Sequence, residues 1–436
     1  MSASIRARVR GRTRRALLAA AVPAAMAAAL LPAAANAASV GDGVLSSGER
    51  SVFVLDRSFF AGGSTESNNA SVAVEGDFVV IRDTAGITTE HQGSGGRCFR
   101  VSTIEARCPR AADRIDLNLG AGDDRVEYRA HHKGFVGLGE GNDTVFGGRR
   151  EASGPLIRPV TYDGGPGYDT VSYVRSDRGV RVDTADGLAT DGRPGIDDED
   201  VDEDVEIIEG SNFADVLFGS DANDVLRGLN GDDLIGGGLG ADVIDEGTAA
   251  NGADTINGGD GPDDVVFYRR RTSGVVVTLN GVRNDGAPGE QDDVRPSVEH
   301  IDGTDFRDTL VGNGSANAIN GFGDTDTIDG LGGNDTLSAG AGGNNVFGGT
   351  GNDVIETRNG VADNIDCGEN PGDSDAANRD TNEHRVVGCE RGTVGVQPLS
   401  PKRVRAGQTL QAEVEATDRR ARRQLEREAA TFRVAK

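Results

Sequence analysis

From Gly210 onward an aliphatic residue recurs every nine positions, two places after an acidic one, in the blocks GSNFADVLF, GSDANDVLR, GLNGDDLIG and GGLGADVID. The sixth place of each block is acidic and the eighth aliphatic: Asp215 with Leu217, Asp224 with Leu226, Asp233 with Ile235, Asp242 with Ile244. Three inserted residues shift the frame, which resumes at Asp254 with Ile256 and Asp263 with Val265. A second array starts at Gly303 and pairs Asp308 with Leu310, Asn317 with Ile319, Asp326 with Ile328, Asp335 with Leu337, Asn344 with Val346 and Asp353 with Ile355. Less regular copies precede the arrays, at Asp124 with Val126, Asp143 with Val145 and Asp169 with Val171, and Asp363 with Ile365 reads as a final degenerate turn. A flexible acidic linker has no reason to keep that phase.

The pattern predicts very short strands. In the last three places of a block the middle side chain points inward and its neighbours outward. The glycines before them predict a tight turn, since glycine reaches positive φ without a Cβ clash. Two blocks make one eighteen-residue coil with a strand on each side, and stacking pairs each strand with its copies above and below. Such a coil buries only two aliphatic side chains against the entropy of ordering its whole backbone. Its stacked carboxylates also repel one another. The roll therefore requires a further source of stability.

A longer duplication overlies the nonapeptides. DTVSYVRSDRGVRV at residues 169–182 resembles DVVFYRRRTSGVVV at residues 264–277, and each leads through an acidic stretch to GSNFAD or GTDFRD, an offset of about 93 residues. The expected plan is an N-terminal β segment or cap at 38–118, irregular repeat coils at 119–173, a linker at 174–209 and a first array at 210–266. A second linker at 267–302, a second array at 303–356 and a disulfide-closed cap at 357–390 follow, with a basic tail at 391–436 that is helical or disordered.

Composition turns this plan toward cations. The 436 residues include 65 Gly and no Trp, and the formal charge is −26, which excludes nucleic acid as a partner. Residues 1–37 read as an export signal: arginines from Arg6 to Arg15, an apolar run from Ala16 to Leu31, and Ala35-Asn36-Ala37 as a cleavage site. Sec and twin-arginine routes both suit it, and the mature chain is expected to be extracellular, with no membrane span. An even number of cysteines in an exported chain predicts two local disulfides, Cys98–Cys108 and Cys367–Cys389. Zinc ligation would require tighter spacing and matching histidines.

Two stacked carboxylates with several turn carbonyls make an all-oxygen cage suited to calcium, which takes six to eight oxygen ligands. Asp215 is expected to face Asp233, Asp224 to face Asp242, and Asp308 to face Asp326. The blocks resemble the GGxGxDxUx nonapeptides of the RTX, or haemolysin-type, calcium-binding repeat family: GGPGYDTVS at residues 164–172, GGLGADVID at 237–245 and GGTGNDVIE at 348–356. The resemblance implies an all-β, right-handed parallel β-roll in two arrays, with several calcium ions held between coils by the motif aspartates and glycine-turn carbonyls. It assigns ligand roles to Asp215, Asp224, Asp233, Asp242, Asp263, Asp308, Asp326, Asp335 and Asp353, and extends them to Asp124, Asp143 and Asp169. Asn317 and Asn344 depart from the pattern and weaken their sites by one charge.

Catalysis finds no foothold in the sequence. The five histidines, His91, His131, His132, His300 and His384, form no H-E-x-x-H arrangement, and no G-x-S-x-G elbow is present. Paired acids such as Asp123-Asp124 and Asp232-Asp233 are explained by the repeat itself. The expected function is a secreted calcium-binding repeat protein with a structural, adhesive or surface role, facing cell-surface or matrix polymers. The alternative is a calcium-dependent extracellular hydrolase or lyase acting on a polymer.

Overall fold

Three-residue strands separated by glycine-rich turns wind through almost the whole described chain. The computed structural model describes residues 38–44, 50–55, 69–83, 87–91, 98–102, 104–109, 114–130, 132–148, 159–368 and 373–392. The expected export segment, His131 and residues 393–436 of the tail lie outside the described residues. Among the described residues there is no helix, and so none long and apolar enough to cross a membrane. The chain is an all-β parallel β-roll.

One face of the roll is a single 16-stranded sheet. From Asn69–Glu75 it steps through Arg125–Tyr128, Thr144–Phe146, Thr170–Ser172 and Ile207–Glu209, and runs on to Ala376–Asn378, crossing both arrays without a break. Its repeat strands pair in parallel, with the inward residues in register: Ile208 opposite Leu226, Ile244 opposite Val266, Ile301 opposite Ile319, and Leu337 opposite Ile355. At the N-terminal end an antiparallel meander of Asn69–Glu75, Phe78–Asp83 and Glu105–Pro109 caps the sheet. The expected β segment is therefore a cap fused to the roll. The Cys98–Cys108 disulfide ties its end.

The opposite face is spliced from three sheets of seven, five and six strands. The first ends at Glu199–Val201, the second runs from Arg181–Asp183 to Asp293–Val294, and the third runs from Val276–Thr278 to Arg385–Val387. The breaks fall where the two expected linkers lie. Neither linker simply projects: each contributes strands to both faces and makes one small antiparallel excursion, Asp191 against Glu199 and Asp285 against Asp292. A buried aspartate stitches each splice. Asp191 accepts the amides of Asp183 and Val201, both at 2.9 Å, and Asp285 accepts those of Thr278 at 2.7 Å and Val294 at 3.0 Å. Each thus holds the last strand of one sheet to the first of the next.

Between the faces runs a ladder of single aliphatic side chains, among them Leu217, Leu226, Ile235, Ile244, Ile256, Leu310, Ile328 and Ile355, all at 0 % exposure. One position of the sequence frame is wrong. Val266, not Val265, is the inward residue of Val265–Phe267, since it lies opposite Ile244 and is fully buried. The preceding turn holds one more residue than a nonapeptide, and Asp263 absorbs it at a φ of 67°. At the C-terminal end Cys367 joins Cys389 and ties the last two coils together.

The corrected frame makes a direct prediction. In urea melts at saturating calcium, Val266→Ala is expected to cost roughly 1.5–3 kcal/mol. Val265→Ala, on the outer surface, should cost less than about 1 kcal/mol. Equal costs would return the frame to its sequence-based phase.

Candidate metal sites in the turns

The aspartate two residues before each inward aliphatic is carried to the inner edge of a turn, because that aliphatic fixes the pleat and places its i−2 neighbour on the same side. Asp143, Asp169, Asp242, Asp326 and Asp353 are at 0 % exposure, and Asp124, Asp224, Asp308 and Asp335 at 1 %. Most of these carboxylates are used in the same way, Asp224 being an exception whose Oδ1 accepts no bond. In the common pattern Oδ1 accepts the backbone amide of the corresponding residue one coil earlier: Asp215 N to Asp233 at 2.8 Å, Asp224 N to Asp242 at 2.8 Å, and Asp308 N to Asp326 at 2.9 Å. The facing pairs expected from the eighteen-residue spacing are thus brought together, by amide-to-carboxylate bonds. Asp124 N to Asp143 at 2.7 Å and Asp143 N to Asp169 at 2.9 Å extend the ladder into the irregular coils. Asn344 keeps its place in it, its Oδ1 accepting Asp326 N at 2.8 Å.

The second oxygen is different. Oδ2 of Asp143, Asp169, Asp233, Asp242, Asp326, Asp335 and Asp353 is buried and meets no hydrogen-bond donor. A buried anionic oxygen without a partner is costly and marks a place where another positive group fits. The first glycine of the turn forms the floor of that place. A methyl group on Gly321 would lie 2.5 Å from Asp326 Oδ2 and 2.8 Å from the Ala339 carbonyl, and one on Gly348 would lie 2.6 Å from both Asp353 Oδ2 and the Cys367 carbonyl. Carboxylate and carbonyl oxygens from successive coils converge over a bare Cα. That donor set, oxygen only and part anionic, fits calcium. Among the described residues no three His, Cys, Asp or Glu side chains gather into a ready-made metal cluster, so most of each ligand shell would come from carbonyls.

Burial raises these carboxyls above the ordinary range. Asp233, Asp242, Asp326 and Asp335 are pushed up to about 7, first by desolvation, against which the ladder amide works, and then by the charges of neighbouring acids. Asp143 rises to about 6 and Asp169 to about 8 by desolvation first. Such groups resist ionising until a cation is offered.

Three sequence-derived sites change. Asp263 leaves the set: its side chain is 72 % exposed and faces His300 Nε2 at 3.3 Å, while Asp264 takes the ladder place by accepting Asp242 N at 2.9 Å. Asp215 and Asp308 hold the ladder position with both oxygens already taken by protein donors. Ser211 N and Oγ with Val180 N serve Asp215, and Thr304 N and Oγ1 with Val275 N serve Asp308. Among the ladder members that were missed, four stand out. Glu206 accepts Asp169 N at 2.9 Å, Glu299 accepts Asp264 N at 3.0 Å, Asp292 accepts Asp254 N at 3.0 Å and Asp375 accepts Asp353 N at 2.9 Å. The phase was legible for three of them, each two residues before an inward Ile208, Ile301 or Val294. Asp375 was hidden because its inward partner is the small Ala377.

Comparison with known proteins agrees with this geometry. The family model of the RTX calcium-binding nonapeptide repeat, in 4 copies, matches residues 138–149, 209–244, 248–266, 302–337 and 338–361. The matches cover the turns on both sides of the splices and include every orphaned aspartate of the two arrays. No curated protein matches the chain significantly. In these stretches the chain carries repeats of the RTX calcium-binding nonapeptide family.

Proposed function

We propose that this calcium-binding repeat protein is exported through its arginine-rich, alanine-rich N-terminal segment, folds on meeting extracellular calcium, and then serves a structural or adhesive role at a surface or in a matrix. The observation that carries the reading is the row of buried carboxylate oxygens without donors, at Asp233 and Asp242 in one array and Asp326, Asp335 and Asp353 in the other. Calcium bound there supplies the positive charge that lets these acids ionise inside the roll, so binding free energy becomes folding free energy. A chain kept unfolded at low internal calcium and folded outside would also pass an export channel readily. The reading includes no catalytic step. The buried tyrosines that meet acids of the linkers, Tyr162 with Glu199 at 3.2 Å and Tyr268 with Asp292 at 3.0 Å, lie in the interior of the roll and serve packing.

Circular dichroism during a calcium titration is expected to show cooperative gain of β-structure, with magnesium at equal concentration giving little. A chelated protein that keeps its full β signal at pH 8 would sink the proposal. The pH response of the calcium-free chain follows from the raised carboxyls. Their folded-state values of about 6 to 8 lie above the unfolded value near 4, so the folded form binds more protons. Its stabilisation by protonation is complete below about pH 4 and lost as pH rises through about 6 to 8. In chelator, β-structure should therefore be greatest near pH 4–5 and fade by pH 8, where calcium restores it with release of protons. A flat signal over that range would contradict the buried-carboxylate account.

A further inference from the structure

The nonapeptide turns of the two arrays come in two conformations, and the second residue of the nonapeptide separates them. In one group that residue sits at positive φ: Leu229 at 72°, Phe322 at 69°, Leu331 at 66°, and glycine in the same place elsewhere, such as Gly238 at 113° and Gly349 at 102°. Branched or aromatic side chains are seldom found there, because Cβ crowds the following carbonyl. In the other group the second residue is Ser211, Ser220, Thr304 or Asn313, none of them at positive φ.

The fate of the motif side chain follows this division. In the second group the backbone amide of residue two turns back onto it: Ser211 N to Asp215 Oδ2 at 2.5 Å, Ser220 N to Asp224 Oδ2 at 2.6 Å, Thr304 N to Asp308 Oδ2 at 2.6 Å, and Asn313 N to Asn317 Oδ1 at 2.8 Å. The three hydroxyls add a second bond to the same carboxylate, at 2.8, 3.1 and 2.9 Å. In the first group no such bond forms, and Oδ2 of Asp233, Asp326 and Asp335 stays buried without a donor, as it does at Asp242 and Asp353 behind glycine. Asp224 keeps one oxygen without a partner, Oδ1, but its Oδ2 is doubly occupied.

We infer that residue two of each repeat decides whether its turn takes calcium: positive φ there opens the turn and offers the aspartate's outer oxygen, whereas Ser, Thr or Asn closes the turn on its own aspartate without metal. The closed turns are not scattered. They are the first two of each array, beginning at Gly210 and Gly219 and again at Gly303 and Gly312, directly after a linker coil. Each array thus starts on a metal-free coil at residues 210–227 or 303–320, and the calcium-dependent coils are laid upon it. A hydroxyl can do this work because it brings a donor to the carboxylate from within the same turn, leaving the charge hydrogen-bonded in place of metal-bound.

The inference rests on the calcium-binding reading, and one set of full-length chains tests both. Calcium per chain is counted by equilibrium dialysis for the wild type, for the turn-closing pair Leu229→Ser with Leu331→Ser, and for the turn-opening pair Ser211→Gly with Thr304→Gly. Circular dichroism at saturating calcium verifies the fold of each. The closing pair should bind fewer ions than the wild type, about one for each closed turn, and the opening pair correspondingly more. Variants that fold and keep the wild-type number would overturn the role of residue two while the calcium reading stands. A wild type that binds no calcium would remove the reading beneath it. Should the closing pair fail to fold, the opening pair decides alone, since glycine relaxes the turn.

Discussion

A backbone amide donating to a buried carboxylate one coil later is the contact on which the roll is built. It recurs down both rows of turns, from Asp124 to Asp143 and Asp169, through Asp215, Asp233 and Asp254, and on to Asp353 and Asp375. The bond sets the stacking distance and satisfies a turn amide that no sheet ladder reaches. Its cost is a second oxygen that is dry, anionic and close to the next acid. A roll with so little apolar content cannot absorb many such oxygens by packing alone. Calcium, or locally a hydroxyl and an amide, has to meet them.

The linkers show the same chemistry serving geometry. Asp191 and Asp285 each take two backbone amides across a splice, and burial pushes their carboxyls up to about 8 and about 7. Arg271, at 3 % exposure, lies between Glu246 and Glu290 at 3.2 and 2.9 Å and offsets part of the acid packed inside the second linker. The continuous face meanwhile passes both splices unaltered. One sheet can therefore keep its register through a duplication of about 93 residues while the other ends and restarts. On that face the buried Arg227 bridges Glu209 and the buried Asp245, both at 3.0 Å, bracing the start of the first array.

Much of this was readable in advance. The nonapeptide phase marked the inward column and the ladder aspartates, because a period of nine leaves few ways to keep one aliphatic inside and one acid in the turn. The local spacing of the cysteines indicated both disulfides. The phase failed where the chain departs from nine: at residues 258–264 a single extra residue moved the inward position from Val265 to Val266 and the acid from Asp263 to Asp264. Glu206 and Glu299 escaped notice because a glutamate in the sixth place does not look like the motif, although its longer side chain reaches the same amide.

By itself the sequence determined the coil, its inward column and the oxygen-rich turns, since those follow from side-chain identity at a fixed period. Only the tertiary structure decided which carboxylate oxygens are left over. That depends on where backbone amides point after stacking, and so on the φ of one residue per turn and on neighbours that lie 18 to 38 positions away in the chain. The same holds for the splice aspartates, whose partners are strands of two different sheets. Periodicity describes the environment of a residue within its own coil, whereas the fate of a lone pair is settled by the coil above.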